Sequence, residues 1–467
     1  MTIRLRDTLT GDARELVPLE PGHVRIYSCG PTVYGPAHIG NFRSFLFADL
    51  NVRYLRYRGL RVTWVMNVND VDDRIIERAN AAGESIRALT DRWLERFRLD
   101  LAALRVGPPD VLPRATDHID DMVRLIEALL ARGHAYRTED GSIFFRIASW
   151  PAYGRLARLD PSGLRVGERV EADEYGKDDV RDFALWKAPR PGDPSWETAI
   201  GPGRPGWHIE CSAMSIRHLG PSFDIHTGGV DLVFPHHEDE LAQSEAATGQ
   251  PFVGTWLHCA HLQLGGEKMA RRVGNVARVV DLVESGVSPR ALRLALLSVH
   301  YRQALEYSDA SLEAAAAAIE RLDTLVAALG TIIDPRPPDP ALATALEATR
   351  PAFEAALDDD LNISAALAAL FGLVREVNRR LAEGGVGRAD ADATMAVLTD
   401  LDRVLGILPE PDRALAPEQA DLLAARAAAR AARDWATSDR LRDELAAVGI
   451  VVEDGRNGQR WRRGGAT

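Results

Sequence analysis

Between Val24 and Val68 the chain alternates short apolar runs with a helical repeat. Val24 to Cys29 is the first run, and it stops at Gly30-Pro31. After a loop rich in Gly and Pro, Asn41 to Arg58 carries Phe42, Phe45, Leu46, Leu50 and Leu55 at helical spacing. Gly59 ends that helix, and Val62 to Val68 is the next apolar run. Strand, helix, strand in this order is a βαβ unit. It implies a parallel sheet with a binding crevice at the strand C-termini.

From about residue 121 to 206 the alternation breaks. The segment contains a charged, turn-rich run (EADEYGKDDVRD) and the cluster APRPGDPSW, as an inserted module would. Residues 207–307 return to the earlier style. Four alanine-rich helices are then predicted, Ser308 to Leu329, Leu342 to Leu357, Ile363 to Leu381 and Ala391 to Leu405, each apolar at intervals of three and four. PRPPDP at 335–340 and PEPDRALAP at 409–417 read as linkers. A last unit, 418–467, has two short helices and ends in RNGQRWRR before its final residues. The expected class is α/β: a Rossmann-type parallel sheet from 1–120 and 207–307, an inserted module at 121–206, a helical bundle at 308–408 and a small C-terminal domain.

Length and composition narrow the class. At 467 residues, 46% hydrophobic and 27% charged, the chain is expected to be globular and multidomain. No apolar run approaches the ~18 residues that cross a bilayer. The N-terminus lacks the apolar region of a secretion signal, so a cytoplasmic protein without a membrane partner is expected. Three cysteines, Cys29, Cys211 and Cys259, exclude a disulfide framework. The net charge of −12 excludes a simple nucleic-acid coat, though not an enzyme with a local basic stripe. Lys and Arg together number 56, yet lysine occurs only at 177, 187 and 268. A surviving lysine is therefore more informative than an arginine.

Cys29 falls at a predicted strand C-terminus, where ligands bind. Cys211 follows Trp207-His208-Ile209-Glu210, and His236 and Glu240 stand four apart in PHHEDE. Two thiolates, an imidazole and a carboxylate suit tetrahedral zinc; packed structural thiols are the alternative. The protease pattern H-E-x-x-H is excluded, because Leu241 stands where its second histidine is needed. PTVYGPAHIGN at 31–41 leads into a helix N-terminus suited to phosphate, although a helix cap with a surface histidine also accounts for it. LGGEKMARRVGN at 264–275 joins Gly265-Gly266 to Lys268, Arg271 and Arg272, as either a phosphate-closing loop or a solvated basic turn.

Taken together, CGPTVYGPAHIGN at 29–41, NVNDVDDRII at 67–76, GWHIECSAMS at 206–215, DIHTGGVDLVFPHHEDELAQSEA at 224–246 and EKMARRVGN at 267–275 resemble the signatures of cysteinyl-tRNA synthetase, a class I aminoacyl-tRNA synthetase. The similarity continues through VHYRQALEYS at 299–308, DDDLNISAAL at 358–367 and RAARDWATSDRLRDELAAVGIVVED at 430–454, so it spans essentially the whole chain.

The resemblance implies a cysteine–tRNA ligase: ATP and L-cysteine form cysteinyl-adenylate, and the cysteinyl group passes to tRNA(Cys). Cys29, Cys211, His236 and Glu240 match the family's zinc ligands, one Zn²⁺ per chain. Gly30, Thr32, Asn69 and Trp207 match residues around the amino acid, and Gly228, Gly229 and Asp231 match the segment near the adenosine. His38 and Asn41 take the histidine positions of the HIGH motif; Lys268 and Arg271 take the lysines of KMSKS. Mg²⁺ is expected with ATP. Residues 207–307 would include the stem-contact region, 308–408 would bind tRNA, and 418–467 would be an anticodon-binding domain, with Arg456, Arg460, Trp461 and Arg462 as its RNA contacts. A monomer is expected.

The chain departs from the family pattern at Asn41, Ala270, Arg271 and Arg272, and at Asn69, where threonine is usual. Two alternatives remain at this level. A ligase of mycothiol synthesis would share the site but has no use for 418–467, and a non-catalytic tRNA-binding paralogue would account for the altered loops.

Overall fold

The βαβ unit is the nucleus of a four-stranded parallel sheet, ordered Val253–Cys259, Phe223–Gly229, His23–Ser28, Arg61–Met66. The computed structural model describes residues 2–159, 181–269, 276–409, 417–448, 450–455 and 458–463. They fall into two units, Met1–Leu408 and Pro409–Thr467.

Chain order fixes where a ligand can go. From His23–Ser28 the chain crosses through helix Ile39–Tyr57 to Arg61–Met66 on one side, and later returns to Phe223–Gly229 on the other. The connections diverge between His23–Ser28 and Phe223–Gly229, and a crevice opens at their C-terminal ends. Cys29-Gly30 and Gly228-Gly229 occupy this switch point. The strand ends one residue before Cys29, and the helix begins two residues before Asn41, slightly displaced from the pattern. The strands at 223–229 and 253–259 were not predicted. Their polar members, Asp224, His226, Thr227 and His258, are buried and interrupt the apolar signal.

Both sheet faces are covered, as successive side chains on a strand alternate. Val24 and Ile26 pack with helices Ile39–Tyr57 and Pro289–Leu297. Tyr27 and Val65 pack on the other face with helices Ile119–Ala131, Trp207–Leu219 and Glu238–Thr248. A separate antiparallel sheet follows, Ala135–Arg137, Ile143–Phe145, Phe183–Lys187 and Arg204–Pro205, each strand paired to the next.

Four helices close this unit: Asp309–Gly330, Pro340–Asp358, Ile363–Ala382 and Arg388–Leu405. They start where caps allow: Ser308, Asp339 and Asn362 each accept a backbone N–H from the first turn. The last helix is stapled at its end. Arg293 donates to Leu405 O, Arg105 to Leu408 O, and Arg290 to Ile407 O. Arg293 is itself buried and paired with buried Asp49 at 2.8 Å.

In the second unit, helices Pro417–Ala431 and Trp435–Ala447 pack with the hairpin Ile450–Gly455/Gly458–Arg463 around Leu423, Leu445, Ile450 and Val452. The hairpin was missed at the sequence level, although Asn457-Gly458 between two strand-like runs is its usual signal. Among the described residues, no helix is long and apolar enough to cross a membrane.

Candidate active site

The switch point gathers thiols from two distant segments. Cys29 leaves strand His23–Ser28, and Cys211 lies one turn into helix Trp207–Leu219. Their sulphurs are 4.0 Å apart. Tetrahedral zinc with ~2.3 Å Zn–S bonds sets its sulphurs about 3.8 Å apart. His236 Nε2 lies 3.0 Å from Glu240 Oε1, and Glu240 Oε1 lies 3.7 Å from Cys29 Sγ. Ligand atoms of Cys29, Cys211, His236 and Glu240 all fall within 4.8 Å of one another. Cys29, His226, His237 and Glu240 satisfy the same limit. Two thiolates favour the first set for zinc. So does its neighbour: Trp207, 41% exposed, stacks on the His236 ring at 4.3 Å, which places this set beside the opening.

Behind the thiols runs a chain of buried histidines. Glu240 Oε2 pairs with His226 Nε2 at 3.0 Å, so its two oxygens serve different histidines. His237 Nε2 approaches Cys29 Sγ at 3.2 Å, His237 Nδ1 meets His258 Nε2 at 2.7 Å, and His258 Nδ1 meets Thr8 Oγ1 at 2.7 Å. On the other side His208 Nδ1 lies 2.9 Å from His236 Nδ1, while Asp239 accepts from Tyr153 OH. His208, His226, His237 and His258 were missed as site residues. A signal existed, since half of the chain's 12 histidines lie between 208 and 258.

The electrostatics separate these groups. Burial pushes His208 and His237 well below the usual imidazole range and His258 down to about 3, so all three are neutral. His236 goes the other way: against burial, Glu240 and Cys211 raise it to about 10. Cys211 is lowered to about 6, chiefly by the hydrogen bond from Cys29 and despite burial. Glu240 falls to about 2, because His226 and His236 outweigh its burial. Glu240 and His236 thus form a buried pair of opposite charge, a pairing that a cation can replace.

Gly30 brings the chain close to the neighbouring segment: a Cβ there would lie 1.7 Å from Asn67 O. Its N–H donates to Asn67 Oδ1 at 2.9 Å. Thr32 and Asn69 form a parallel bridge across the same gap, and Asn69 Oδ1 accepts from Val71 N–H. Gly228 similarly admits His237, whose ring carbon would lie 2.6 Å from an added Cβ. His38 is the N-cap of helix Ile39–Tyr57, and Asn41 Oδ1 accepts from the His38 N–H at 3.1 Å. Asn41 thus caps the helix whose terminus would face phosphate. Lys268 ends the strand Glu267–Lys268, after the turn Gly265-Gly266, and lies 3.0 Å from Asp231, which follows Gly229. Arg271 and Arg272, like Arg456, lie outside the described residues. The backbone at Arg460, Trp461 and Arg462 pairs with Glu453, Val452 and Val451.

Three family models match the chain in order. The model for the class I (C) tRNA synthetase catalytic domain covers residues 15–317, a DALR domain covers 352–409, and the cysteinyl-tRNA ligase anticodon binding domain covers 412–462. Cysteine–tRNA ligase of Alkalilimnicola ehrlichii is 48% identical over 99% of this chain and 100% of its own length. The chain belongs to the cysteine–tRNA ligase family. That of Symbiobacterium thermophilum is 45% identical over the same shares. Among solved structures, Mycobacterium tuberculosis methionyl-tRNA synthetase bound by methionyl-adenylate superposes with a TM-score of 0.62 at 16% identity, over 89% of this chain and 96% of that one. That likeness shows the class I fold, with its parallel sheet and helical C-terminal parts, and membership makes the chain a tRNA-ligating enzyme.

Proposed function

We propose that the site activates cysteine in two steps and selects it through a zinc-bound thiolate. The observation that carries this reading is the convergence of Cys29, Cys211, His236 and Glu240 at the switch point, with Asp231, five residues before His236, paired to Lys268. When bound, zinc supplies a soft Lewis acid that lowers a thiol pKa and prefers sulphur to a serine hydroxyl. Cys29, Cys211, His236 and Glu240 would hold it, their two thiolates and one carboxylate giving the site a net charge of about −1 with the metal.

Trp207 covers the amino acid beside His236, and the backbone at Gly30 and the bridged pair Thr32 and Asn69 shape its pocket. The substrate carboxylate attacks the α-phosphorus of ATP, the bond to the bridging oxygen breaks, and pyrophosphate leaves. No protein nucleophile is required, because alignment supplies much of the rate. Lys268 and Arg271 stabilise the charge on the leaving phosphates, His38 and the helix N-terminus capped by Asn41 face the triphosphate, and Mg²⁺ accompanies it. Gly228, Gly229 and Asp231 border the adenosine. In the second step a ribose hydroxyl at the 3′ end of tRNA(Cys) attacks the adenylate carbonyl and AMP leaves. Residues 418–467, with Arg456, Arg460, Trp461 and Arg462, bind the anticodon end, and residues 308–408 lie along the tRNA.

Cysteine-dependent ATP–pyrophosphate exchange, with serine as control, tests the first step; charging of total tRNA tests the second. Exchange that is equally fast with serine would overturn the selection mechanism.

A further inference from the structure

Asp231 turns its two oxygens toward two different side chains. Oδ2 lies 3.0 Å from Lys268 Nζ, and Oδ1 lies 3.9 Å from His261 Nδ1. The first contact is a hydrogen bond, and the second is about 1 Å too long for one. Among the described residues, no other Lys, Arg or His nitrogen comes within 4 Å of this carboxylate. Burial would raise its pKa, yet Lys268, and after it His261, hold it below the usual range.

Both side chains belong to one hairpin, but they are held differently. His261 immediately precedes strand Leu262–Leu264, which pairs antiparallel with Glu267–Lys268. Its backbone is pinned: the His261 carbonyl accepts from buried Arg43 at 2.8 Å and from the Leu305 N–H at 3.1 Å. One residue earlier, the Ala260 N–H donates to Tyr301 O at 2.7 Å. Lys268 reaches Asp231 through a flexible four-carbon stem on an exposed strand, so it can leave the carboxylate while the hairpin stays in place.

That difference matters when a triphosphate draws Lys268 away. Asp231 is then an anion without its lysine beside incoming phosphates, and like charges at close range repel. A released carboxylate needs to move only about 1 Å to accept from His261 Nδ1–H. We propose that His261 is a positioning residue for adenylation, taking over the Asp231 carboxylate as Lys268 transfers to the triphosphate. The inference rests on the reading that Lys268 acts on the phosphates. Through this exchange of partners, His261 lowers the cost of releasing the lysine and keeps Asp231 in place at the edge of the crevice.

The test is cysteine-dependent pyrophosphate exchange by the full-length protein. His261→Leu lowers kcat about tenfold and leaves KM for ATP nearly unchanged. His261→Asn keeps an N–H donor close to the position of Nδ1 and recovers most of that loss. In an Asp231→Asn background the neutral amide needs no cation, so adding His261→Leu has little further effect. Equal losses in His261→Leu and His261→Asn overturn the proposal, as does a His261→Leu loss undiminished in the Asp231→Asn background. So does a wild-type kcat in His261→Leu. A near-normal kcat in Lys268→Ala refutes instead the reading on which the exchange of partners depends, a distinguishable failure.

Discussion

Lys268 Nζ lies 3.0 Å from Asp231 Oδ2, so the lysine of the glycine-turn loop is paired with the acid at the edge of the crevice. Both side chains are nearly half exposed, at 46% and 47%. Burial raises the Asp231 pKa, but Lys268 outweighs it and leaves the carboxyl below its usual range. An exposed pair of this kind contributes at most ~1 kcal/mol, so an incoming triphosphate can take the lysine. Behind it, Gly265 and Gly266 adopt φ of 63° and 78°, and their N–H groups donate to Glu306.

Lys268 is expected to act on the transition state more than on bound ATP. Lys268→Ala should lower kcat for adenylation by ~10²-fold, about 2.7 kcal/mol, with little change in KM for ATP. Steady-state pyrophosphate exchange measures both, and a near-normal kcat would reject the role. Arg271→Lys should be neutral or mildly beneficial in the same assay, because the chain favours arginine throughout.

Metal analysis should find one tightly bound zinc per chain. Cys211→Ser and His236→Ala should each lose it, together with cysteine activation, as measured by metal content and exchange on the same samples. Active protein without zinc would refute the mechanism.

Truncation after Leu408, the end of the first unit, should leave cysteine-dependent exchange intact and cripple tRNA charging. Unimpaired charging would show that residues 409–467 do not bind the tRNA.

The ion pair of Arg293 and Asp49 is buried at 0% and 1% exposure. Arg293→Met leaves Asp49 with Arg53 and the Gly107 N–H but frees the Leu405 carbonyl. A loss of about 1–3 kcal/mol is expected, for the buried carbonyl left without its donor, read as a lower urea midpoint.

The bundle was legible because its helices carry uncomplicated periodicity: the starts expected at Ser308 and Ile363 fall within a residue of those observed, while Leu342 and Ala391 fall two and three residues inside helices that begin at Pro340 and Arg388. The clustering of Cys29, Cys211, His236 and Glu240 was legible because each member lay in a recognisable local context. The histidines behind it were not. His226 and His258 lie within strands where polar residues read as breaks, and their partners are remote: His258 meets Thr8, 250 residues away. Periodicity reports which side chains face inward, not which inward polar groups find one another. The helix cap at His38 and Asn41 was among the readings of PTVYGPAHIGN, and the structure shows it.

Thr8 and His258 also set a timetable. The floor of the thiol pocket is laid by a residue made almost at once and by another made 250 residues later. At ~5–20 residues per second, ribosomal synthesis separates them by about 12–50 seconds. Cys29 and Cys211 are themselves 182 residues apart. Glu240, whose carboxylate faces the Cys29 thiol, is made 211 residues after it, so the candidate ligand set can converge only late in the life of the nascent chain.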